Sequence, residues 1–364
     1  APSFSPGESC AAERLFLIDA LRGIASFAIL LWHYQHFYMP VGTRVVPVAA
    51  REEQPFYTLF MPVYEHGHHA VSFFWLISGF VFAQVYYQSQ ITTRQFFLSR
   101  FARLYPLHFL TLIVVAVLQA IAEHRFGASL IYGSNDFYHF LLNLLFASAW
   151  GLERSYSFNA PIWSVSVEIL VYAIFWFGLR WLPRFGVLLP LLAVMAARLL
   201  AKVTGESSFL LCLTFFFSGV ALLSTYRVVA SSRALVCILA LLLASWSGAL
   251  AWLLPPGSGV IWILLSGFSA LLMLSLLLDE YLSLRGQRFC ELIGDNTYGM
   301  YLWHFPFQLL LFLIFATNGS IAELASSPWF FAGYLVVIVG FARFGFITFE
   351  RPMRQRLRFG TSVS

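Results

Sequence analysis

Apolar runs of about twenty residues, broken by short polar or Pro/Gly-containing stretches, recur along the whole chain. They lie near 15–38, 70–88, 104–122, 137–150, 162–180, 185–201, 208–225, 234–254, 259–278, 297–317 and 329–348. A helix of about 20 apolar residues crosses a roughly 30 Å hydrocarbon core, so eleven runs are candidate crossings. The run 137–150 is short for a span, and the charges argue against it. Lys and Arg collect in cytoplasmic loops. With the N-terminus cytoplasmic, Arg94, Arg100 and Arg103 lie inside, after the second run. Were 137–150 to cross, Arg180/Arg184, Arg227/Arg233, Arg285/Arg288 and Arg351, Arg354, Arg356 and Arg358 would all fall outside. If it does not cross, all four clusters are inside. The pattern predicts an all-α polytopic membrane protein, a bundle of about ten transmembrane helices with both termini cytoplasmic. The segment 137–160 is then a re-entrant or surface helix on the outer side.

Composition agrees. The chain is 60% hydrophobic and 11% charged, against about 25% charged in soluble domains. No long polar stretch offers a second domain, so residues 1–364 read as one membrane domain, with a polar tail at 1–13 and a basic cytoplasmic tail at 349–364. The first tail has no apolar core and does not read as a cleavable signal peptide. The net charge of +5 follows from loop arginines and does not call for nucleic acid. Cys10, Cys212, Cys237 and Cys290 show no pair spacing. Cys10 lacks the small apolar residues of a lipid-anchored cysteine, and the other three read as buried free thiols. The longest outer loop, about 39–69, holds Arg44, Arg51, Glu52, Glu53, Glu65 and His66-Gly67-His68-His69. Its histidines lack convincing zinc-ligand spacing, so no metal is expected.

A charge at mid-membrane costs roughly 2.5–3.5 kcal/mol on insertion scales, which singles out a few side chains. In the first run, Arg22 and His33 are eleven residues apart. On a helix that is three turns plus roughly 20°, one face, and about 16 Å of axial separation. Asp19 can pair with Arg22 at i, i+3. Arg100 and Arg103 are also i, i+3, a geometry in which parallel guanidiniums grip phosphate. Ser164, Glu168 and Tyr172 share a face at i, i+4, i+8, with Ser164 placed to cap the helix after Trp163. Asn296 or Thr297 is placed to cap a late helix on which Tyr301 and His304 share a face. Each has a plain structural reading too: snorkelling or positive-inside loops for the arginines, interfacial capping for the histidines, close helix packing for Ser78 and Gly79.

Taken together and in order, these segments resemble the acyltransferase-3 family of integral-membrane acyltransferases. The opening helix Asp19-Ala-Leu-Arg22…His33, the segment Val71-Ser-Phe-Phe-Trp-Leu-Ile-Ser78-Gly, Arg100-Phe-Ala-Arg103, Trp163-Ser-Val-Ser-Val-Glu168 and Gly294-Asp-Asn-Thr-Tyr298-Gly-Met-Tyr301-Leu-Trp-His304 carry the likeness. Thr297 stands where serine is commoner and keeps the hydroxyl. The resemblance implies transfer of an acyl group, usually acetyl, from cytoplasmic acyl-CoA to a hydroxyl on a sugar or other acceptor, in a bacterial inner membrane. Relatives of this kind decorate lipopolysaccharide, exopolysaccharide, peptidoglycan or Nod factors; others modify small molecules such as macrolides. Some carry an appended soluble domain, which is not expected here.

On that reading, Arg100, Arg103 and Arg22 hold the acyl-CoA phosphates and the thioester meets His33. The imidazole serves as general base or takes the acyl group covalently. Glu168 orients the imidazole or the acceptor, and Arg22 steadies phosphate or the thioester oxygen. Ser78, Trp163, Ser164, Tyr172, Tyr298, Tyr301, His304 and His69 line the site. The partners are the lipid bilayer and a carbohydrate or lipid-linked glycan. The competing class is a transporter or flippase of lipid-linked glycans, whose buried charges would line a path.

Overall fold

In a bilayer every backbone N–H and C=O must bond within its own segment, so apolar runs become helices. The structure, a computed structural model, describes residues 15–40, 46–87, 89–315 and 321–353. The tail at 1–13, most of the tail at 349–364, Cys10 and Arg44 lie outside the described residues. The helices are α1 (Phe16–His33), α2 (Val48–Arg51), α3 (Tyr57–His66), α4 (Ala70–Tyr86), α5 (Thr93–Phe126), α6 (Phe137–Leu144), α7 (Trp163–Gly178) and α8 (Leu182–Phe185). They continue with α9 (Leu188–Thr204), α10 (Ser208–Val229), α11 (Arg233–Leu253), α12 (Val260–Asp279), α13 (Leu284–Phe315), α14 (Ile321–Ala325) and α15 (Pro328–Gly345).

Among the described residues, nine helical stretches are long and apolar enough to cross a membrane. The 17-residue α9, mostly Leu and Ala, reaches about 25 Å and makes a tenth. Helix α6 has 8 residues, about 12 Å, and cannot cross. This is the expected architecture: a bundle of about ten crossings with one helix that stays on one side.

Contacts between remote elements show which helix ends lie together. At one end, Leu17 N donates to Asp279 Oδ1 at 2.5 Å. Arg233 pairs with Glu280 at 2.8 Å there, and Arg227 lies 4.3 Å above the Tyr87 ring. At the opposite end Tyr34 donates to the Ala325 carbonyl at 2.8 Å and Arg125 to that of Leu313 at 2.5 Å. Successive crossings therefore run in opposite directions. We call the two sides the arginine end and the histidine end. Large apolar side chains of α11, such as Leu241, Leu242, Trp246 and Trp252, are exposed, as suits a lipid-facing helix. Cys237 on the same helix is exposed rather than buried.

Two local features fix the centre of the bundle. A Cβ at Gly79 would stand 1.8 Å from the Phe216 carbonyl, and one at Gly219 2.0 Å from that of Leu76. Only glycine permits this approach of α4 and α10, so Gly79 is the packing residue and Ser78 is left to face inward. In α13, Pro306 has no N–H to give the Leu302 carbonyl. Buried Asn159 donates to that carbonyl instead, at 3.1 Å, which ties the loop before α7 to the bend.

Candidate active site

The polar side chains of the bundle collect around two cavities. The first, about 890 Å³ including its mouth, opens toward the arginine end. Its walls include Arg22 of α1, Ser78 of α4, Arg100 and Arg103 of α5, Glu168 and Tyr172 of α7, and Tyr298 of α13. Spacing explains the convergence: i, i+3 on α5 and i, i+4, i+8 on α7 each put their polar groups on one face. Ser164, Glu168 and Tyr172 all line this cavity, as their spacing predicts. The Glu168 carboxylate is hydrogen-bonded by Ser78 and Tyr172 and lies in electrostatic reach of Arg103 and Arg22. Arg22 also pairs with Asp19 at 3.5 Å. The Arg100 guanidinium sits 5.0 Å above the Phe82 ring. Tyr298 donates to the Leu104 carbonyl at 2.7 Å.

The second cavity, about 1020 Å³, lies toward the histidine end and is walled by Trp32, His33, Arg51, Glu65, His68, Tyr132, Tyr156 and Trp163, among others. His33 Nδ1 lies 3.0 Å from the Ile29 carbonyl. A carbonyl only accepts, so Nδ1 carries the proton and Nε2 keeps its lone pair. Gln308 Nε2 donates to the His33 carbonyl at 2.9 Å. His36 Nδ1 donates to Gln308 Oε1 at 2.9 Å, and Tyr132 donates to His36 Nε2 at 3.3 Å. Burial raises the Tyr132 phenol above its ordinary value, so it stays a donor. Arg51 is engaged by Glu65 at 3.1 Å, and Tyr57 donates to the other Glu65 oxygen at 3.2 Å.

Val71 and Tyr301 stand in the walls of both cavities. Tyr301 donates to the Pro161 carbonyl. Its single phenolic hydrogen is then used, so Ser164 donates to the Tyr301 oxygen, at 2.6 Å.

Several expectations change. Glu168 and His33 line different cavities, so Glu168 does not orient the imidazole; it sits among the arginines instead. Ser164 does not cap α7, because its hydroxyl is turned to Tyr301. Asn296 and Thr297 are not caps, since α13 starts at Leu284 and both are buried inside it. His304 is fully buried behind His33, with ring centroids 4.8 Å apart, and lines neither cavity. The His69 ring lies tilted against that of His68, with centroids 3.9 Å apart; the 3-10 turn Gly67–His69 presents His68 to the cavity and not its neighbour. Trp163 faces the second cavity and not the arginines. His36, Gln308, Tyr132 and Asn159 were not anticipated. They meet His33 or α13 across large sequence separations, and no local spacing announces them. Among the described residues no three His, Cys, Asp or Glu side chains converge as a metal-ligand set.

The profile of the acyltransferase-3 family, described as an acyltransferase domain, matches residues 16–343. The chain is 31% identical over 176 residues to acyltransferase MdmB of Streptomyces mycarofaciens, covering 46% of this chain and 40% of that one. It is 33% identical over 108 residues to protein 2 in the picA locus of Rhizobium radiobacter, covering 29% of this chain and 45% of that one. The chain thus spans less than half the length of either curated relative. No solved structure matches it. The profile takes in all four helices that carry the arginines, Glu168, His33 and Tyr301, and by that match this chain, with its many membrane-crossing helices, belongs to the acyltransferase-3 family.

Proposed function

We propose that the protein moves an acyl group, acetyl in the simplest case, from acyl-CoA at the arginine end to a hydroxyl of a sugar or glycan at the histidine end. The observation that carries this reading is the pair of cavities sharing Val71 and Tyr301, with guanidiniums in one and the His33 imidazole in the other. Arg22, Arg100 and Arg103 suit the phosphates of the donor, and the pantetheine arm then reaches through the shared wall to His33. The arginine clusters favour a cytoplasmic location for that end by the positive-inside rule. On this reading both termini are in the cytoplasm of a bacterial cell, and the acceptor is an extracytoplasmic polysaccharide beyond its inner membrane.

In direct transfer, His33 Nε2 takes the proton of the acceptor hydroxyl while its oxygen attacks the thioester carbonyl. The C–O bond forms, the C–S bond breaks, and the proton passes from the imidazolium to the CoA thiolate. In the two-step variant Nε2 itself first receives the acyl group and CoA leaves as the thiolate while Nδ1 keeps its proton; the hydroxyl then attacks the acyl-imidazolium, its proton passes to the thiolate, and the neutral imidazole is released. Glu168 holds the arginines in place in either case.

The test is thiol release by purified protein in detergent, with acetyl-CoA and a panel of methyl glycosides and polysaccharide fragments. Release that rises with an acceptor, and an acetyl ester found on it by mass spectrometry, is expected. No release with any acceptor, together with glycan movement across vesicles, would turn the assignment to a flippase.

A further inference from the structure

Val71 and Tyr301, the residues that line both cavities, stand at the boundary between them, which we call the neck. Tyr301 is held at its hydroxyl by both Ser164 and the Pro161 carbonyl, and Trp75 Nε1 donates to the Ser164 carbonyl at 3.4 Å. Helices α4, α7 and α13 are thereby pinned at one level. The other shared wall residue, Val71, offers only methyl groups. Beyond the neck the second cavity has about 1020 Å³, which is ample for a long acyl chain.

We infer that Tyr301 and Val71 form a filter that selects the acyl group by cross-section and charge rather than by length. The inference rests on the donor path proposed above. An acyl group leads its thioester through the neck. Straight chains of any length share one cross-section, so acetyl and butyryl pass alike. A branched chain is wider at its methyl fork. A chain ending in carboxylate would shed water where the Tyr301 hydroxyl is already engaged on both sides, and an unpaired charge is costly to desolvate. Tyr301 is in these terms a specificity-determining residue.

The experiment compares thiol release from acetyl-, butyryl-, isovaleryl- and succinyl-CoA, with the acceptor that gives the fastest acetyl transfer or, failing one, with water. The wild type is expected to use acetyl- and butyryl-CoA at similar rates, and isovaleryl- and succinyl-CoA at least about tenfold more slowly, the scale on which a methyl-sized misfit discriminates. Val71→Ala and Tyr301→Ala should each raise the isovaleryl-to-acetyl ratio about tenfold. Tyr301→Phe keeps the ring and should leave that ratio unchanged. Equal use of isovaleryl- and acetyl-CoA by the wild type, or an unmoved ratio in Val71→Ala, overturns the filter while leaving the acyltransferase assignment standing. Val71→Ala decides the matter if Tyr301→Ala does not fold. Thiol release from none of the four donors by the wild type removes the donor path and the filter with it.

Discussion

The two cavities differ in electrical character. The arginine cavity is walled by Arg22, Arg100 and Arg103 against one carboxylate, Glu168. The histidine cavity holds one guanidinium, Arg51, already matched by Glu65, and otherwise presents imidazoles, phenols and indoles. Charges in a bilayer protein are costly, and the arginine cavity gathers three guanidiniums where the histidine cavity has one. On the function proposed above, the guanidiniums suit an anionic donor on one side and the less charged wall suits a hydroxyl-bearing acceptor on the other.

The sharpest break in that comparison is His33→Ala. Removing a general base typically slows a reaction about a hundred- to ten-thousandfold. The variant should lose transfer on that scale while acetyl-CoA still binds, because the arginine cavity is untouched. Calorimetric titration with CoA against a thiol-release assay separates the two effects. Wild-type turnover in His33→Ala would remove the histidine cavity from the chemistry.

Arg103→Ala acts on the other side. A hydrogen bond to a charged group contributes about 1.5–3 kcal/mol, so donor KM should rise roughly 10- to 150-fold, with a smaller change in kcat. Acetyl-pantetheine, which lacks the nucleotide phosphates, should show no such difference between variant and wild type. An equal loss with both donors would take Arg103 off the phosphates. Glu168→Gln comes next. The amide still meets Ser78 and Tyr172 but no longer balances the arginines. Removing a carboxylate in electrostatic reach of Arg103 and Arg22 should cost about 1–2 kcal/mol, less than breaking a buried, directly bonded ion pair. The thermal midpoint should fall and CoA should restore more of it than in the wild type, since its phosphates supply the missing negative charge. A loss of kcat as deep as that of His33→Ala would instead return Glu168 to the chemistry.

What the sequence revealed follows a physical rule. Periodicity within one helix is legible, so the depth separation of Arg22 and His33, the Arg100/Arg103 pair and the Ser164–Glu168–Tyr172 face all appear in the structure as spacing predicts. The charge count also kept 137–150 from crossing, and α6 is indeed too short. Contacts between helices are not legible. Glu168 was paired with His33 because both looked expensive, yet spacing along separate helices says nothing about which cavity each one enters. The Gln308–His36–Tyr132 chain and the Asn159 bond at Pro306 join residues 96 to 272 apart, and only the packed bundle brings them together. His68 rather than His69 lines the cavity, because the 3-10 turn Gly67–His69 sets which of the two faces it, and the sequence does not announce that turn.

The smallest effect lies in the roof of the histidine cavity. Asp136 accepts from the backbone N–H of His139 at 2.9 Å and from its Nδ1 at 2.7 Å. The free Nε2 of that ring accepts from the Arg154 backbone N–H at 3.2 Å. The clamp thus holds the segment that carries Tyr156 and Asn159 over the cavity. The His139 backbone and ring N–H groups hold the Asp136 carboxyl below the usual carboxylate range. A depressed value means that the stabilisation is complete above the unfolded carboxyl value, about 3.9, and is lost as pH falls through the lower folded value. Asp136→Asn keeps a good helix cap and removes only the charge. It should lower the thermal midpoint by about 1–2 °C, by the same amount at pH 5 and pH 8, and the gap should close only below about pH 4. Acetyl-CoA binding should not change, because the arginine cavity is at the other end of the bundle. A gap that instead changes between pH 8 and pH 5 would take the effect off the Asp136 carboxylate.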